Sequence, residues 1–325
     1  MTRIGVVGAG GMGTVHYTSF QHIEGAQVAA VVGVSGQDAA RAGEWDLPLY
    51  ATISEMLAAE EIDIVDICTP TYLHAQQILE AVTCGKSVIT EKPLALKNAD
   101  ARMVFDAADL AGVHIYVAQV LQFYRESEVL HELVRSGEYG RPLDAYFVRL
   151  SACPRWAQGG WLFDREKSGL VPFDLHIHDL DLIVSLFGEP RDFGFTSCGG
   201  ADKPYREHYR FRYGYDGLNV AAEAGWLNAD IPFTAGWRVY FERAMVENEG
   251  GRVTAYSFDT PPRVFDTEEK VKIPTGINVP PTGTYLAELT HFLDCHEKNI
   301  PSDRVSRRQV LSVLGLLERI AGQGV

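Results

Sequence analysis

The chain has 325 residues, of which 46% are hydrophobic and 22% are charged, a composition typical of a globular protein. At this length two domains are expected rather than a single core. The formal net charge of −14 argues against a nucleic-acid partner, because such a partner requires a basic surface, but it allows a small neutral substrate.

The five cysteines form no CxxC pair, so they indicate neither a disulfide framework nor a zinc site. We predict that they are core thiols in a reducing compartment. The sequence begins directly on a predicted strand and lacks the pattern of a secretion signal. No apolar run approaches the roughly 20 residues that span a bilayer. These features predict a soluble, cytoplasmic protein with no membrane partner.

The first third of the chain alternates short apolar runs with helical patterns. A helix follows the first strand, a short helix is predicted to be capped by Ser54, and another helix follows Asn98. Strands separated by helices predict parallel crossovers and an open sheet with helices on both faces. The predicted strands cover residues 3–8, 27–34, 62–68, 87–90 and 114–120.

After about residue 122 the pattern changes to long strand-like runs with few helices. Consecutive strands without intervening helices predict a largely antiparallel sheet. We therefore predict an α/β doubly wound parallel sheet in residues 1–122, followed by an α+β domain in residues 123–325 with a large, mostly antiparallel sheet. Predicted strands there are 206–215, 235–243 and 252–259, and predicted helices are 126–136, 172–187, 284–298 and 304–321.

The stretch "GVVGAGGMG" ends the first strand and opens the first helix. Gly8, Gly10 and Gly13 fit the pattern GxGxxG, which lets the backbone approach a pyrophosphate at a helix N-terminus. Gly11 and Met12 belong to the same turn. A tight glycine turn without a ligand is the alternative, but the strand–turn–helix context predicts a dinucleotide-binding Rossmann domain.

The end of the second strand bears on the type of dinucleotide. NAD binding usually requires an acidic residue there to hold the ribose 2′-hydroxyl. In "VVGVSGQDAAR" the expected acidic position falls near Ser35 or Gly36, and Asp38 comes slightly late. Ser35, Gln37 and Arg41 could instead donate to a 2′-phosphate. The prediction is NAD or NADP, with a slight preference for NADP.

The stretch "GLVPFDLHIHDLDLIVSLFG" places Asp174, His176, His178, Asp179 and Asp181 in an otherwise apolar helix. A buried charge costs several kcal/mol unless it is paired. Asp174 and His178 are four residues apart and share a helix face, which suits a histidine base oriented by a carboxylate. A surface pair without chemistry is the alternative. Metal binding through His176 and His178 is disfavoured because alternate helical residues diverge by about 200°, and no metal is predicted.

The segment "DICTPTYLHAQQILEAVTCGKSVITEKPLAL" resembles a signature of the glucose–fructose oxidoreductase/inositol dehydrogenase/MocA (GFO/IDH/MocA) family. The helix described above resembles the same family's D-x-x-x-H-x-x-D motif, with Asp174, His178 and Asp181 in its positions. The residues that carry the first resemblance are Thr69, Pro70, His74, Gly85, Lys86, Glu91, Lys92 and Pro93.

This resemblance implies roles for individual residues. Lys92 would lie beside the nicotinamide and stabilise developing alkoxide charge, His178 would be the acid/base, and Asp174 would orient it. The family's assemblies imply a homodimer or homotetramer. The predicted cofactor contacts are Gly8, Gly10, Gly11, Met12, Gly13, Ser35, Thr69, Pro70, His74, Glu91 and Lys92.

The predicted substrate site adds four residues to Asp174 and His178. Trp156 and Trp161 could stack on a sugar ring and Arg155 could bind its hydroxyls, although either tryptophan could instead fill a seam between domains. Gln122 occupies a position where the family often has arginine. Because this region departs from the family pattern, the identity of the substrate cannot be taken from any relative.

These observations predict an NAD(P)-dependent dehydrogenase acting on a CH–OH group of a sugar, polyol or related cyclic alcohol. A reductase of conjugated double bonds of the biliverdin-reductase type and a non-enzymatic dinucleotide sensor are the alternatives. Oligomerisation is also predicted from apolar residues on a sheet with few helices to cover it. These residues are Tyr209, Phe211, Tyr213, Trp237 and Tyr240.

Overall fold

The computed structural model describes residues 1–277 and 279–323. Two compact units emerge, and each is discontinuous in sequence, unlike the two contiguous segments that the sequence predicts. The physical reason is a late helix, Thr284–Glu297, whose Phe292 ring stacks on Tyr116 of the first unit at 5.5 Å between centroids. The first unit comprises Met1–Val120 and Lys270–Leu314, and the second comprises Leu121–Glu269 and Gly315–Val325.

The first unit is built on a six-stranded parallel sheet. Its strand order is β3-β2-β1-β4-β5-β6, which confirms the doubly wound sheet predicted from the alternating pattern. The central strand β4 is buried at every residue, as expected for a parallel sheet that is covered on both faces. The strands are β1 Thr2–Val7, β2 Ala26–Val32, β3 Leu49–Tyr50, β4 Ile64–Ile67, β5 Ser87–Glu91 and β6 Ile115–Ala118.

The helices of the first unit follow the predicted strand–helix alternation. One cap differs from the prediction: Thr52, not Ser54, caps the third helix, because its hydroxyl accepts the Glu55 N–H at 3.1 Å. The helices are α1 Gly11–Phe20, α2 Gly36–Glu44, α3 Ile53–Ala59, α4 His74–Thr83, α5 Asn98–Ala111 and, after the second unit's main segment, α9 Thr284–Glu297.

The second unit contains an eight-stranded sheet in the order β14-β13-β12-β11-β7-β10-β9-β8. All neighbouring pairs are antiparallel except β7 and β10, which are parallel, so the predicted mostly antiparallel sheet is confirmed. The strands are β7 Pro142–Ala152, β8 Asp192–Cys198, β9 His208–Tyr215, β10 Leu218–Leu227, β11 Thr234–Phe241, β12 Met245–Glu249, β13 Arg252–Tyr256 and β14 Arg263–Val264.

The helices of the second unit include the one in which the sequence predicts acid/base chemistry. Predicted as one α-helix over 172–187, it begins instead with a π-helical turn, Pro172–His176, and continues as an α-helix. The α-helices are α6 Arg125–Ser136, α7 Arg165–Ser168 and α8 Ile177–Phe187. The last helix of the chain, α10 Arg307–Gly322, is divided after Leu314, so that its first half belongs to the first unit and its second half to the second.

The aromatic residues used to predict oligomerisation do not form an uncovered face. Tyr209, Phe211, Tyr213 and Trp237 are at most 6% exposed, and only Tyr240, at 52%, is open to solvent. The chain covers this side of the sheet itself, because the turn before α8 packs against it. The apolar-surface argument for an oligomer is therefore wrong for four of its five residues.

All five cysteines are free thiols. Cys295 is buried, but Cys84 and Cys198 are exposed, so the prediction that the cysteines are core thiols is wrong for these two. Among the residues that the structure describes, no helix is long and apolar enough to cross a membrane.

Candidate active site

The turn that follows β1 depends on three glycines. Gly8 has a φ of +87°, in the left-handed region that glycine adopts without strain. A Cβ on Gly13 would lie 2.0 Å from the Gly8 carbonyl oxygen, so the first turn of α1 packs directly on the loop. A Cβ on Gly10, by contrast, would meet no atom within 4 Å. The surface of the loop at Gly10 is therefore open.

This loop fits the pyrophosphate of a dinucleotide. Gly10 is the N-cap of α1 and no side chain caps it, so no cap competes for the first backbone N–H groups of the helix. Such groups bind phosphate oxygens. The loop lies at the carboxyl end of β1, where the strand order reverses towards β4, the usual ligand crevice of open α/β sheets. Gly10, Gly11 and Met12 would hold the phosphates there.

A substitution at Gly10 should separate binding from folding. We expect Gly10→Val to abolish dinucleotide binding in calorimetry while preserving the melting temperature, because the new side chain enters open space in front of the loop. The matched variant Gly13→Ala should lower the melting temperature instead, since its Cβ would collide with backbone. Unchanged affinity in a folded Gly10→Val protein would contradict the assignment.

Asp38 ties the glycine loop to the start of α2. Its Oδ1 accepts the Ala9 N–H at 2.8 Å, and its Oδ2 accepts the Ser35 N–H at 2.9 Å and hydroxyl at 2.6 Å. The Ser35 hydroxyl in turn accepts the Asp38 N–H at 3.1 Å, which completes a capping box. Asp38 is only 9% exposed and points inward.

The position at the end of β2, where NAD-binding proteins usually carry an acidic residue, lies earlier in this chain than the sequence predicts. The strand ends at Val32, two residues before the predicted end, so the position at its end is Gly33 rather than Ser35 or Gly36. A Cβ on Gly33 would lie 2.3 Å from the Asp38 Cγ. The Asp38 carboxyl group therefore occupies the space that a side chain at the strand end would need.

A buried charged cluster lies behind the segment Glu91–Pro93. The His16 Nδ1 lies 3.0 Å from both Asp66 oxygens, and its Nε2 lies 3.4 Å from the Glu91 Oε1. Burial lowers the pKa of His16, but Asp66 and Cys68 together outweigh burial, and the pKa is raised well above 6.5. Burial alone would raise the pKa of Glu91, yet His16 and Lys92 hold it below its usual value. Opposite charges therefore compensate one another inside the unit.

His16, Asp66 and Cys68 also have the spacing of metal ligands, with their donor atoms within 4.8 Å of one another. Hydrogen bonding explains this grouping without an ion. The His16 Nδ1 proton is shared with the Asp66 oxygens, and burial raises the pKa of the Cys68 thiol to about 12, which leaves it protonated. We interpret the group as a hydrogen-bonded cluster.

His74 connects the other two segments for which cofactor contacts are predicted. Its Nε2 lies 2.7 Å from the Thr69 carbonyl oxygen and its Nδ1 lies 2.8 Å from that of Pro93. Thr69 and Pro70 follow β4, directly beside the glycine loop, because a Cβ on Gly8 would lie 2.9 Å from the Thr69 methyl group. The structure thus brings these predicted cofactor residues together within the first unit.

In the second unit, Asp174 lies in the π-helical turn and His178 is the second residue of α8. Both side chains are half-buried. Four residues correspond to about one turn, since an α-helix has 3.6 residues per turn and a π-helix somewhat more. π-helical turns are frequent at functional sites. The predicted pair is therefore partly exposed, with its two residues about one helical turn apart.

The other charged residue types of this helix are buried and paired. Asp179 accepts two hydrogen bonds from Arg149 of β7, both at 2.9 Å. The His176 Nε2 is hydrogen-bonded to the Tyr213 hydroxyl at 2.7 Å, and the ring stacks on Phe211 with 3.8 Å between ring centroids. Burial lowers the pKa of His176 to about 3, so its ring is neutral. These contacts fix the helix on the sheet.

Gln122 is buried rather than open to a substrate. Its amide nitrogen donates to Asp181 at 2.6 Å and to Ser185 at 3.1 Å, and its oxygen accepts from His131 at 3.1 Å. Gln122 and Asp181 are 5% and 0% exposed. Both atoms of the Gln122 amide are thus engaged within the unit.

The predicted substrate loop is more accessible. Trp156 is 72% exposed, Trp161 is half-buried, and Arg155 is exposed with its guanidinium donating to Asn228 at 3.0 Å. These three residues share the second unit with Asp174 and His178, whereas Lys92 belongs to the first.

His16, Asp66 and Arg149 were not predicted from the sequence as parts of a site. One signal was present: Asp66 interrupts the apolar strand "IVDI", just as the carboxylates interrupt the helix of the second unit. The same argument about buried charge would have predicted a partner for it. Its identity, a histidine 50 residues earlier, depends on the tertiary fold.

The fold and the glycine loop define the first unit as a dinucleotide-binding Rossmann domain. In agreement, the family model "Oxidoreductase family, NAD-binding Rossmann fold" matches residues 2–119, and the model "GFO/IDH/MocA C-terminal domain" matches residues 128–228. The chain belongs to the GFO/IDH/MocA family.

Individual relatives are similar over part of their length. The chain is 30% identical over 186 residues to a 1,5-anhydro-D-fructose reductase of Ensifer adhaerens, covering 56% of each protein. It is 28% identical over 190 residues to a myo-inositol 2-dehydrogenase of Thermotoga maritima, covering 58% of this chain and 55% of the relative. The chain thus matches little more than half the length of these curated relatives.

Among solved structures, a levoglucosan dehydrogenase in complex with NADH and levoglucosan superposes with a TM-score of 0.83 at 17% identity. The superposition covers 99% of this chain and 96% of that one. At this identity the likeness concerns the fold alone.

Proposed function

We propose that the protein is an NAD(P)-dependent oxidoreductase that transfers hydride between a nicotinamide cofactor and a secondary alcohol or ketone of a sugar, polyol or related cyclic substrate. The observation that carries the proposal is the contrast within one helix. His176, Asp179 and Asp181 are buried, whereas Asp174 and His178 are partly exposed. An acid/base pair requires this accessibility and a merely structural pair does not.

The chemistry assigns a role to each of three residues. When bound, the nicotinamide accepts or returns the hydride. His178 takes the hydroxyl proton as the alcohol is oxidised, because an imidazole titrates near neutral pH. Asp174 orients the ring and stabilises the imidazolium that forms. The Lys92 ammonium stabilises negative charge on the substrate oxygen.

The substrate class rests on the relatives and on the exposed loop. The names of the two curated relatives refer to a sugar derivative and a polyol. Trp156 offers an open aromatic face for a sugar ring, and Arg155 lies beside it with hydrogen-bond donors for hydroxyl groups. Gln122 acts indirectly in this scheme, by holding Asp181.

We also propose a modest preference for NADP. Gly33 provides no carboxylate at the end of β2, and both oxygens of Asp38 are engaged by Ala9 and Ser35. A ribose 2′-phosphate would therefore not be repelled by a carboxylate at the end of β2. The Ser35 hydroxyl is itself used by Asp38, and Arg41 pairs with Glu44, so the preference is expected to be small.

A substrate screen tests the proposal. Sugars, polyols and related cyclic alcohols would be offered with NAD and with NADP while the absorbance of the reduced cofactor is followed. Turnover of a member of this class is expected, with NADP bound at least as tightly as NAD. Cofactor binding without turnover of any such compound would favour the sensor, and reduction of a conjugated double bond would favour the alternative reductase. NAD bound tenfold more tightly would overturn the preference.

A homodimer or homotetramer remains part of the proposal. It rests on the family to which the chain belongs, because most of the aromatic residues first considered are covered by the chain itself. Light scattering should return a mass above that of one 35.9 kDa chain. A monomer mass at working concentration would refute it.

A further inference from the structure

Two buried histidines contact the segment Glu91–Pro93 from its two ends. His16, on α1, is 0% exposed, and His74, at the start of α4, is 1% exposed. One contacts the side chain of the residue before Lys92, and the other contacts the carbonyl group of the residue after it. Neither histidine is used in the chemistry proposed above.

The contact at the first end is a chain of charges. Asp66 binds the His16 Nδ1 at 3.0 Å, and the His16 Nε2 faces the Glu91 Oε1 at 3.4 Å, an ion-pair distance rather than a short hydrogen bond. The other Glu91 oxygen, Oε2, accepts the Lys92 backbone N–H at 3.1 Å. The Cys68 thiol also lies beside the His16 ring, 3.4 Å from Nδ1, and the Phe20 ring packs nearly perpendicular to it.

The contact at the second end is a hydrogen bond to backbone. His74 lies between the Pro93 and Thr69 carbonyl oxygens, at 2.8 and 2.7 Å. Burial lowers the pKa of His74, so its neutral ring carries one N–H and donates to one of the two carbonyls at a time. In either tautomer the ring fills the space between the two segments.

We propose that His16 and His74 are positioning residues that hold the backbone of Lys92 in place by fixing Glu91 on one side and Pro93 on the other. The inference rests on the proposed function, in which the Lys92 ammonium must lie at the substrate oxygen. A displacement of about 1 Å can cost about 10²-fold in rate, so firm support of a three-residue segment has a direct kinetic consequence.

The experiment compares His16→Gln and His74→Gln with the control His114→Gln. His114 is half-buried in the same unit, and its ring packs near Tyr116 rather than at residues 91–93. Hydrogen exchange of the amides of residues 87–95 is measured first, because it requires no substrate. Faster exchange there in the two test variants, and wild-type exchange in the control, is expected.

The kinetic arm uses the substrate found in the screen. We expect kcat to fall about 10²-fold in both test variants, with little change in the substrate KM, because the positioned group acts in the transition state. Exchange and kcat equal to those of His114→Gln would overturn the inference. A wild-type protein with no turnover would refute the proposed function, while the exchange data would still decide whether the segment is held.

The pH dependence of the unfolding free energy distinguishes the contribution of the His16 charge from that of its packing. Its folded-state pKa is raised, so its stabilising contribution is complete below the unfolded pKa near 6.5 and disappears as the pH rises through the folded value. The difference in unfolding free energy between wild type and His16→Gln should therefore narrow at alkaline pH. If His16→Gln does not fold, Glu91→Gln tests the same contact, and unchanged exchange in that variant would contradict the proposal.

Discussion

His178→Ala should lower kcat by about 10²–10⁴-fold, the usual contribution of a positioned acid/base, while the protein remains folded. The side chain is half-buried near the start of α8, so its removal leaves no large internal cavity. The effect should concern turnover far more than dinucleotide affinity, because the role proposed for His178 is proton transfer and not cofactor binding. The measurements are kcat and melting temperature on the same preparation.

His176, two residues before His178, provides a control for the His178→Ala variant. His176 is completely buried, is hydrogen-bonded to the Tyr213 hydroxyl and stacks on Phe211. His176→Ala should therefore lower the melting temperature and leave kcat per folded molecule close to that of wild type. The opposite pattern, with a folded His178→Ala protein of normal kcat, would end the proposed mechanism.

Two further substitutions test the roles proposed for Asp174 and Lys92. Asp174→Asn keeps the shape of the side chain but alters which tautomer of the histidine is favoured, so a clear loss of kcat smaller than that of His178→Ala is expected. Lys92→Ala should reduce kcat and also weaken the cofactor, since the resemblance places Lys92 against the nicotinamide. A variant that changed only KM would point to binding rather than chemistry.

The sequence predicted those features that depend on local pattern. The alternation of strands and helices predicted the parallel sheet, because each strand–helix unit must return to the same sheet. The glycine spacing predicted the open turn at Gly10, since GxGxxG describes backbone conformation directly. The absence of helices between late strands similarly predicted the mostly antiparallel sheet of the second unit.

Features that depend on tertiary contacts could not be predicted from the sequence pattern. The π-helical turn at 172–176 differs from an α-helix in its backbone hydrogen bonds, which run from i to i+5, and the hydrophobic pattern of the sequence does not reveal that difference. Alternation along β9 showed that Tyr209, Phe211 and Tyr213 share a face, but not which face the chain covers. The inward turn of Asp38 depends on the Ala9 N–H, 29 residues away in sequence.

The largest expected loss of stability comes from the pair that fixes α8 to β7. Asp179 and Arg149 are 2% and 7% exposed and form two hydrogen bonds of 2.9 Å. Removing one partner of a buried pair leaves an uncompensated charge and costs about 3–5 kcal/mol. Arg149→Met should therefore lower the free energy of unfolding by about this amount in urea denaturation at neutral pH.

Two comparisons show whether the loss comes from the stranded carboxylate. The double variant Arg149→Met/Asp179→Leu should recover most of the stability, because two apolar side chains of similar volume can replace a buried pair at little cost. An exposed pair, Arg135–Glu132, should lose no more than about 1 kcal/mol when Arg135 is replaced by methionine.

The loss of stability in Arg149→Met should depend on pH, and the pKa of Asp179 determines the direction of that dependence. Burial already raises the pKa of Asp179 above its usual value, although Arg149 opposes the shift. Without Arg149 that opposition is lost, so the folded state of Arg149→Met binds a proton more readily than the unfolded chain does. Stability then increases as the pH falls towards the raised pKa, and the deficit relative to wild type should shrink in mildly acidic buffer. A deficit that is constant with pH, or that persists in the double variant, would mean that Arg149 stabilises α8 through packing rather than through its charge.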